Sequence, residues 1–223
     1  MRTLGSSAFM LLLISGCSGS QDGRDAGPSI PLRLLPGVLA HAAAEEMRTP
    51  DLRCESGERD ADWTALAAEL RAHDCARRGG PPVDGQAMTD AQITARLRAE
   101  IDARGWPDPC RLGDRAAKQL WFVVQHSPDE PLLRDGLVYF ETAAAYGFVP
   151  RSQVATMHDR VLMRAGEPQI YGTQYLCDPQ TGRRERWRTA DPEGLDARRR
   201  QAGLIPADWE ERILNHRGAS CPR

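Results

Sequence analysis

Hydrophobic positions recur along this chain at three- and four-residue steps, and glycine or proline interrupts each run. Over residues 60–78, Trp63, Leu66 or Ala67, Leu70 and His73 or Cys75 fall on one helical stripe, which Gly79-Gly80-Pro81-Pro82 stops. Thr89-Asp90-Ala91-Gln92 has the form of a capping box, with Ile93, Leu97 and Ile101 following at four-residue steps and Gly105 placed to end the helix. Trp106-Pro107 forces an extended exit. A helix over about 114–125 turns Ala117, Leu120, Trp121 and Val124 inward and stops at His126-Ser127-Pro128. The next covers roughly 130–146, ended by Gly147 and Pro150, which leaves His126 in a tight elbow between two helices. Residues 151–164 repeat the pattern with Val154, Met157, Val161 and Leu162, and Gly166 as stop. Shorter helical patterns cover 37–48, 191–201 and 206–217.

Between Gly166 and residue 190 the period changes. Tyr171–Cys177, a turn at Asp178-Pro179-Gln180-Thr181-Gly182, and Arg183–Thr189 read as strand, turn, strand. The expected fold is therefore mainly α: a single helical domain with one β-hairpin, residues about 169–189, packed beside the helices. A glycine inside a strand often marks a bulge, and a bulge at Gly172 would bring Gln174 onto the side of Gln169 and Tyr171.

The N-terminus reads differently. Arg2, the apolar run Ala8–Ile14 and Ile14-Ser15-Gly16-Cys17 have the order of an export signal, and the run is about half of the ~20 residues needed to span a bilayer. A cysteine directly after Ile-Ser-Gly resembles the bacterial lipoprotein signal, in which that cysteine is acylated, palmitate included, and becomes the new N-terminus. Ser18 after Cys17 then implies the outer membrane facing the periplasm, if the source is Gram-negative. The expected division is 1–16 signal peptide, 17–36 flexible tether, 37–82 helical N-terminal appendage, and 83–223 main helical domain with the hairpin.

Removing the signal takes away Arg2 only and moves the net charge from −2 to −3. A near-neutral chain is not a general nucleic-acid binder. The roughly 200 residues that remain suffice for one domain with a real core. Five cysteines remain beyond Cys17, which in an oxidising compartment suggests up to two disulfides and one spare thiol, Cys54–Cys75 first and Cys177–Cys221 second. The sequence contains no CxxC pair and no His/Cys cluster of zinc spacing, so no metal and no cofactor is expected.

The candidate chemistry gathers around Gln169-Ile170-Tyr171-Gly172-Thr173-Gln174, with Gln125-His126 and Asp159-Arg160 on the preceding helices. Buried amides must be hydrogen-bonded or cost about 1–3 kcal/mol each, so this cluster is either a sealed network or a pocket completed by a ligand. The motifs Gly105-Trp106-Pro107, Gln125-His126, Asp159-Arg160-Val161 and Gln169-x-Tyr171-Gly172-Thr173-Gln174, with a weaker tail at Arg198-Arg199 and Gly203-Leu204, resemble an uncharacterised bacterial family, one of the domains of unknown function. The resemblance runs over roughly residues 88–205 and implies a shared fold and polar site without an activity. That family places an acid two residues after its Gln-His; here Pro128 stands there and Asp129 follows.

Three functions fit these residues. The first is an envelope binding or accessory module, held to the membrane by its lipid, with Gln125, Arg160, Gln169, Tyr171, Thr173 and Gln174 around a small polar or glycan-like ligand. The second is a periplasmic hydrolase in which Asp159 orients His126 as general base, with Thr173 or water as nucleophile. The third is a structural scaffold, with His126 capping the carbonyls of its own helix. Arg183, Arg184, Arg186 and Arg188, then Arg198, Arg199 and Arg200, read as a solvated face because Glu185, Asp191, Glu193 and Asp196 are interspersed.

Overall fold

A computed structural model describes Arg53, Cys54 and residues 57–178 and 180–216. The signal, the tether and the helix expected over 37–48 lie outside the described residues.

Helix α1 (Ala61–Arg77) is capped by Asp60, whose carboxylate accepts from the Trp63 amide, and it turns Trp63, Leu66, Ala67 and Leu70 inward. Helix α2 (Asp90–Arg104) opens on the capping box at Thr89 and Gln92 and ends at Gly105, which takes a φ of 73°. A short helix not anticipated from the periodicity, α3 (Pro109–Leu112), forms because Asp108 caps it and Pro109 is its first residue. Helix α4 (Asp114–Gln125) runs through the centre and buries Ala117, Leu120, Trp121 and Val124. Helix α5 (Glu130–Ala145) is capped by Asp129 and carries Gly136, where a Cβ would stand 2.6 Å from Val124 Cγ1, so the two helices approach closely at this point. Helix α6 (Arg151–Arg164) follows Pro150.

One continuous core takes in Trp63 and Leu70 of α1, Leu97 of α2, Leu120 and Trp121 of α4, Phe140 of α5 and Met157 of α6. Residues 61–77, which precede the Gly79–Pro82 loop, thus share a core with the helices that follow it. Trp106 stacks on Tyr139 at 4.8 Å between ring centroids.

The hairpin is shorter than the sequence suggests. Strands β1 (Tyr175–Cys177) and β2 (Arg184–Arg186) pair antiparallel, with Tyr175 opposite Arg186 and Cys177 opposite Arg184, and a bridge between Gln169 and Thr189 lies beyond them. Helices α7 (Leu195–Gln201) and α8 (Ala207–His216) close the chain. Asn215 of α8 satisfies β2 by accepting from the Arg184 amide at 2.9 Å and donating to its carbonyl at 3.2 Å. The run of arginines is not one solvated face: Arg199 is fully buried and donates to Glu210 at 2.8 Å.

Cys54 is bonded to Cys110, with the Cα atoms 5.5 Å apart, and not to Cys75. Residues 58–60 lie against the α3 turn, where the Asp60 amide donates to Arg111 O at 3.0 Å and Arg111 Nε to Glu58 O at 3.3 Å. Cys75 sits in the last turn of α1, about one helix length away at ~1.5 Å per residue. Cys75 and Cys177 each take part in a disulfide as well, so no described cysteine is a spare thiol. The expected pairing of Cys177 with Cys221 involves a residue outside the described ones. Among the described residues no helix is long and apolar enough to cross a membrane.

Candidate functional site

The adjacent residues Asp159 and Arg160 leave α6 in different directions, and the polar residues singled out from the sequence divide between those two directions. Asp159 is fully buried, and its carboxylate accepts from the amides of Ile170 at 2.8 Å, Tyr171 at 2.9 Å and Thr173 at 2.9 Å, and from Thr173 Oγ1 at 2.9 Å. Successive amides directed at one anion form a nest, and Gly172, with φ at 66°, lets the chain curl around it. This is why residues 170–173 are not strand. Their amides bond a carboxylate rather than a neighbouring strand, and the bulge expected at Gly172 is a turn.

The amides complete the loop. Gln169 Nε2 donates to Trp187 O at 2.6 Å and Gln174 O at 3.1 Å, and Gln169 Oε1 accepts from the Gln174 amide at 2.8 Å. Gln174 Nε2 donates to Thr156 O at 3.1 Å and to Thr173 Oγ1 at 3.1 Å. From the far side, Arg198 Nε donates to Ile170 O at 3.0 Å, and Arg199 Nη1 to Tyr171 O at 2.7 Å and Gly172 O at 3.2 Å. Gln169, Thr173 and Gln174 are therefore parts of a sealed clamp. Thr173 Oγ1 already donates to Asp159, so it is not poised as a nucleophile. The side chain of Tyr171 turns away from the clamp, meets His158 edge-on at 6.2 Å between centroids, and lines an open cleft of about 530 Å³ with Glu141, Val154 and Arg198.

His126 belongs to a second cluster. It ends α4, and its side chain, 4% exposed, reaches across to α1 rather than capping its own helix: Nδ1 lies 2.8 Å from Asp74 Oδ1. Asp74 also accepts from Arg71 Nη1 through Oδ2 and pairs with Arg78 Nη1 at 2.5 Å, while Arg78 Nη1 lies 3.2 Å from Asp90 Oδ1. The Arg71 guanidinium lies over the Phe122 ring at 3.9 Å. Asp159, expected to orient His126, is fully engaged by the loop, and Asp74 holds the imidazole instead.

The protonation states follow from this packing. Burial opposes the Asp74 charge, but the His126 hydrogen bond and the charges of His126, Arg78 and Arg71 outweigh it and hold the carboxyl below its usual range. Burial pushes His126 below the ordinary 6.5; the Asp74 bond opposes this, and Arg78 and Arg160 add to it. A carboxylate only accepts, so neutral His126 carries its proton on Nδ1, donates it to Asp74, and keeps a lone pair on Nε2. Burial pushes Arg160 down to about 9, with Arg164 and Arg78 adding to the shift.

Several buried polar atoms here have no partner: Arg71 Nη2, Arg78 Nε, His126 Nε2 and both amide atoms of Gln125, which is fully buried. Each such atom costs about 1–3 kcal/mol when left unmade. The clamp leaves one, Gln174 Oε1. The expected single site is thus two: a closed clamp holding Asp159, Gln169, Thr173 and Gln174, and a buried cluster with unpartnered atoms, holding Gln125 and His126 with Arg160 acting electrostatically on it. Asp129, which stands one residue beyond the position the family resemblance gives to an acid, caps α5 and pairs with Arg98 at 3.0 Å. Among the described residues no group of His, Cys, Asp and Glu has the make-up of a metal site.

The sequence reading missed Arg71, Asp74 and Arg78. Their signal is positional. The inward stripe of α1 at 63, 66, 67 and 70 continues through 71, 74 and 78, so charged residues stand where core residues are due.

Residues 76–219 match the model of DUF6624, a family of unknown function, and the chain belongs to that family. No curated protein and no solved structure matches it.

Proposed function

We propose, for this member of a family without an assigned activity, that the chain is a lipid-anchored envelope binding module whose ligand, a small polar molecule, seats at the Asp74–His126 cluster. The observation that carries the reading is the set of buried atoms without partners on Arg71, Arg78, Gln125 and His126. A domain that closes the Gln169–Gln174 network almost completely, yet leaves these atoms open, fits a cluster completed by a ligand. The glycan-like ligand expected from the envelope address belongs to this class.

Native mass spectrometry and ligand-observed NMR on the purified chain, with muropeptide mixtures as probes, test it. A bound species lost in His126→Ala and Arg78→Gln but kept in Gln180→Ala, on the exposed turn, is the expected result. Equal retention by all three variants would place the ligand elsewhere.

A second reading, a periplasmic hydrolase, is favoured by one observation: neutral His126 is oriented by a carboxylate, as a general base requires. In this reading Asp74 takes the orienting part expected of Asp159. Turnover of small esters or amides, abolished in both His126→Ala and Asp74→Asn, would favour it over binding alone. The envelope setting has its own test. Cys17→Ser should release the chain from membranes, and membrane association unchanged by that substitution would rule out the anchor.

A further inference from the structure

We infer that the ligand of the Asp74–His126 cluster carries an anionic oxygen group, a carboxylate or a phosphate, and that His126 takes up a proton when that group binds. The inference rests on the binding reading above and names the ligand class for it.

The donor inventory comes first. Arg71 Nη2 and Arg78 Nε can only donate, and both are buried without an acceptor. Both side chains, with His126, hold one carboxylate, so the atoms left open belong to a single cluster. The charge count points the same way. Arg71 and Arg78 share the carboxylate of Asp74, and Arg78 shares Asp90 with Arg77, which engages it at 3.1 Å, so three guanidinium groups meet two carboxylates. A group offering only acceptor oxygens and negative charge answers both conditions, and guanidinium forks match planar carboxylates and phosphates.

Proton uptake follows from the tautomer. With the Nδ1 proton directed at Asp74, His126 presents a lone pair on Nε2, which an oxyanion would repel. Moving one proton from solvent to Nε2 turns that atom into a donor, and Asp74 stands ready to stabilise the imidazolium. The ring is bonded to Asp74 of α1, lies near Phe122 one turn back on α4, and feels the charges of Arg78 at the end of α1 and Arg160 on α6, while Arg71 reaches the other oxygen of Asp74. In the free protein the arginines disfavour the imidazolium, and a bound anion offsets them. A neutral sugar needs none of this, because a hydroxyl can donate to the Nε2 lone pair and accept from the arginines.

Calorimetry on the full chain at pH 7.5 tests the inference with three probes, inorganic phosphate, acetate and N-acetylglucosamine, each in buffers of different ionisation enthalpy. The expected result is binding of phosphate or acetate with uptake of about one proton per site. The stronger of the two anions shows which oxyacid the site prefers. Arg78→Gln should weaken that binding at least tenfold. His126→Gln, whose amide can donate without titrating, should keep binding and lose the buffer dependence. The wild-type buffer series alone decides the proton step, so it stands if a variant fails to fold. Binding of the neutral sugar alone would overturn the anion assignment while leaving the binding reading intact, and anion binding with no buffer dependence would overturn the proton step. Binding of none of the three, by a protein that purifies without a ligand, would remove both readings.

Discussion

His126 Nδ1 lies 2.8 Å from Asp74 Oδ1, a contact between the end of one helix and the last turn of another across 52 residues of chain. It sets the tautomer of the histidine, and Arg71 and Arg78 meet the same carboxylate. Asp159, the acid of the Asp159-Arg160-Val161 motif, is occupied instead with folding a loop.

That histidine should register in the pH dependence of stability. His126 is held below its ordinary 6.5, so the unfolded chain binds the proton more readily than the folded one. The contribution is fully present above the unfolded value, and stability falls as pH drops from there through the lower folded value. Denaturant melts from pH 8 to pH 5 should show this decline, and His126→Gln should flatten it. An unchanged slope in the variant would mean that another group is responsible.

Asp159 has a structural task, and its removal should cost accordingly. Asp159→Ala leaves three amides and the Thr173 hydroxyl buried without an acceptor, and about 3–5 kcal/mol of stability should be lost. Urea unfolding measures this. A loss below about 1 kcal/mol would show that the loop closes without its anion.

The Arg199–Glu210 pair gives a complementary case. Burial raises the Glu210 carboxyl above its ordinary 4.5, with Arg199, Tyr175 and Arg186 opposing. Glu210→Ala strands a fully buried guanidinium and should destabilise by about 3–5 kcal/mol. Pairing it with Arg199→Met should recover part of the loss in a double-mutant cycle. No recovery would imply that Arg199 matters through the loop carbonyls it binds.

The Cys54–Cys110 bridge closes a loop of sequence separation 56, and chain entropy predicts about 4 kcal/mol for it. The double serine variant should melt at a lower temperature than wild type under oxidising conditions. Identical melts would show that this bridge adds nothing to the folded state.

Much of the fold was legible in the sequence because its determinants are local. The capping box at Thr89, the stop at Gly105 and the inward faces of α2 and α4 depend on neighbours three or four residues away. The strand ends were not legible, because residues 170–173 form a nest only when the carboxylate of Asp159 is present to receive their amides. The disulfide partner of Cys54 was hidden too, since it depends on where the α3 turn lies against residues 58–60.

The sequence by itself determined the longer helices and the hairpin turn through periodicity, capping and glycine placement, and it singled out Gln125, His126, Asp159, Arg160 and the Gln169–Gln174 stretch as polar residues to be accounted for. Only the tertiary structure decided which of them act together. Asp159 and Arg160 are neighbours in sequence but leave the helix about 100° apart, and the packing of α6 sends the first into the loop while the charge of the second acts on His126. Helical spacing fixes the angle between two side chains on one helix. What each of them meets depends on the positions of other helices, and those positions follow from burial of the whole core.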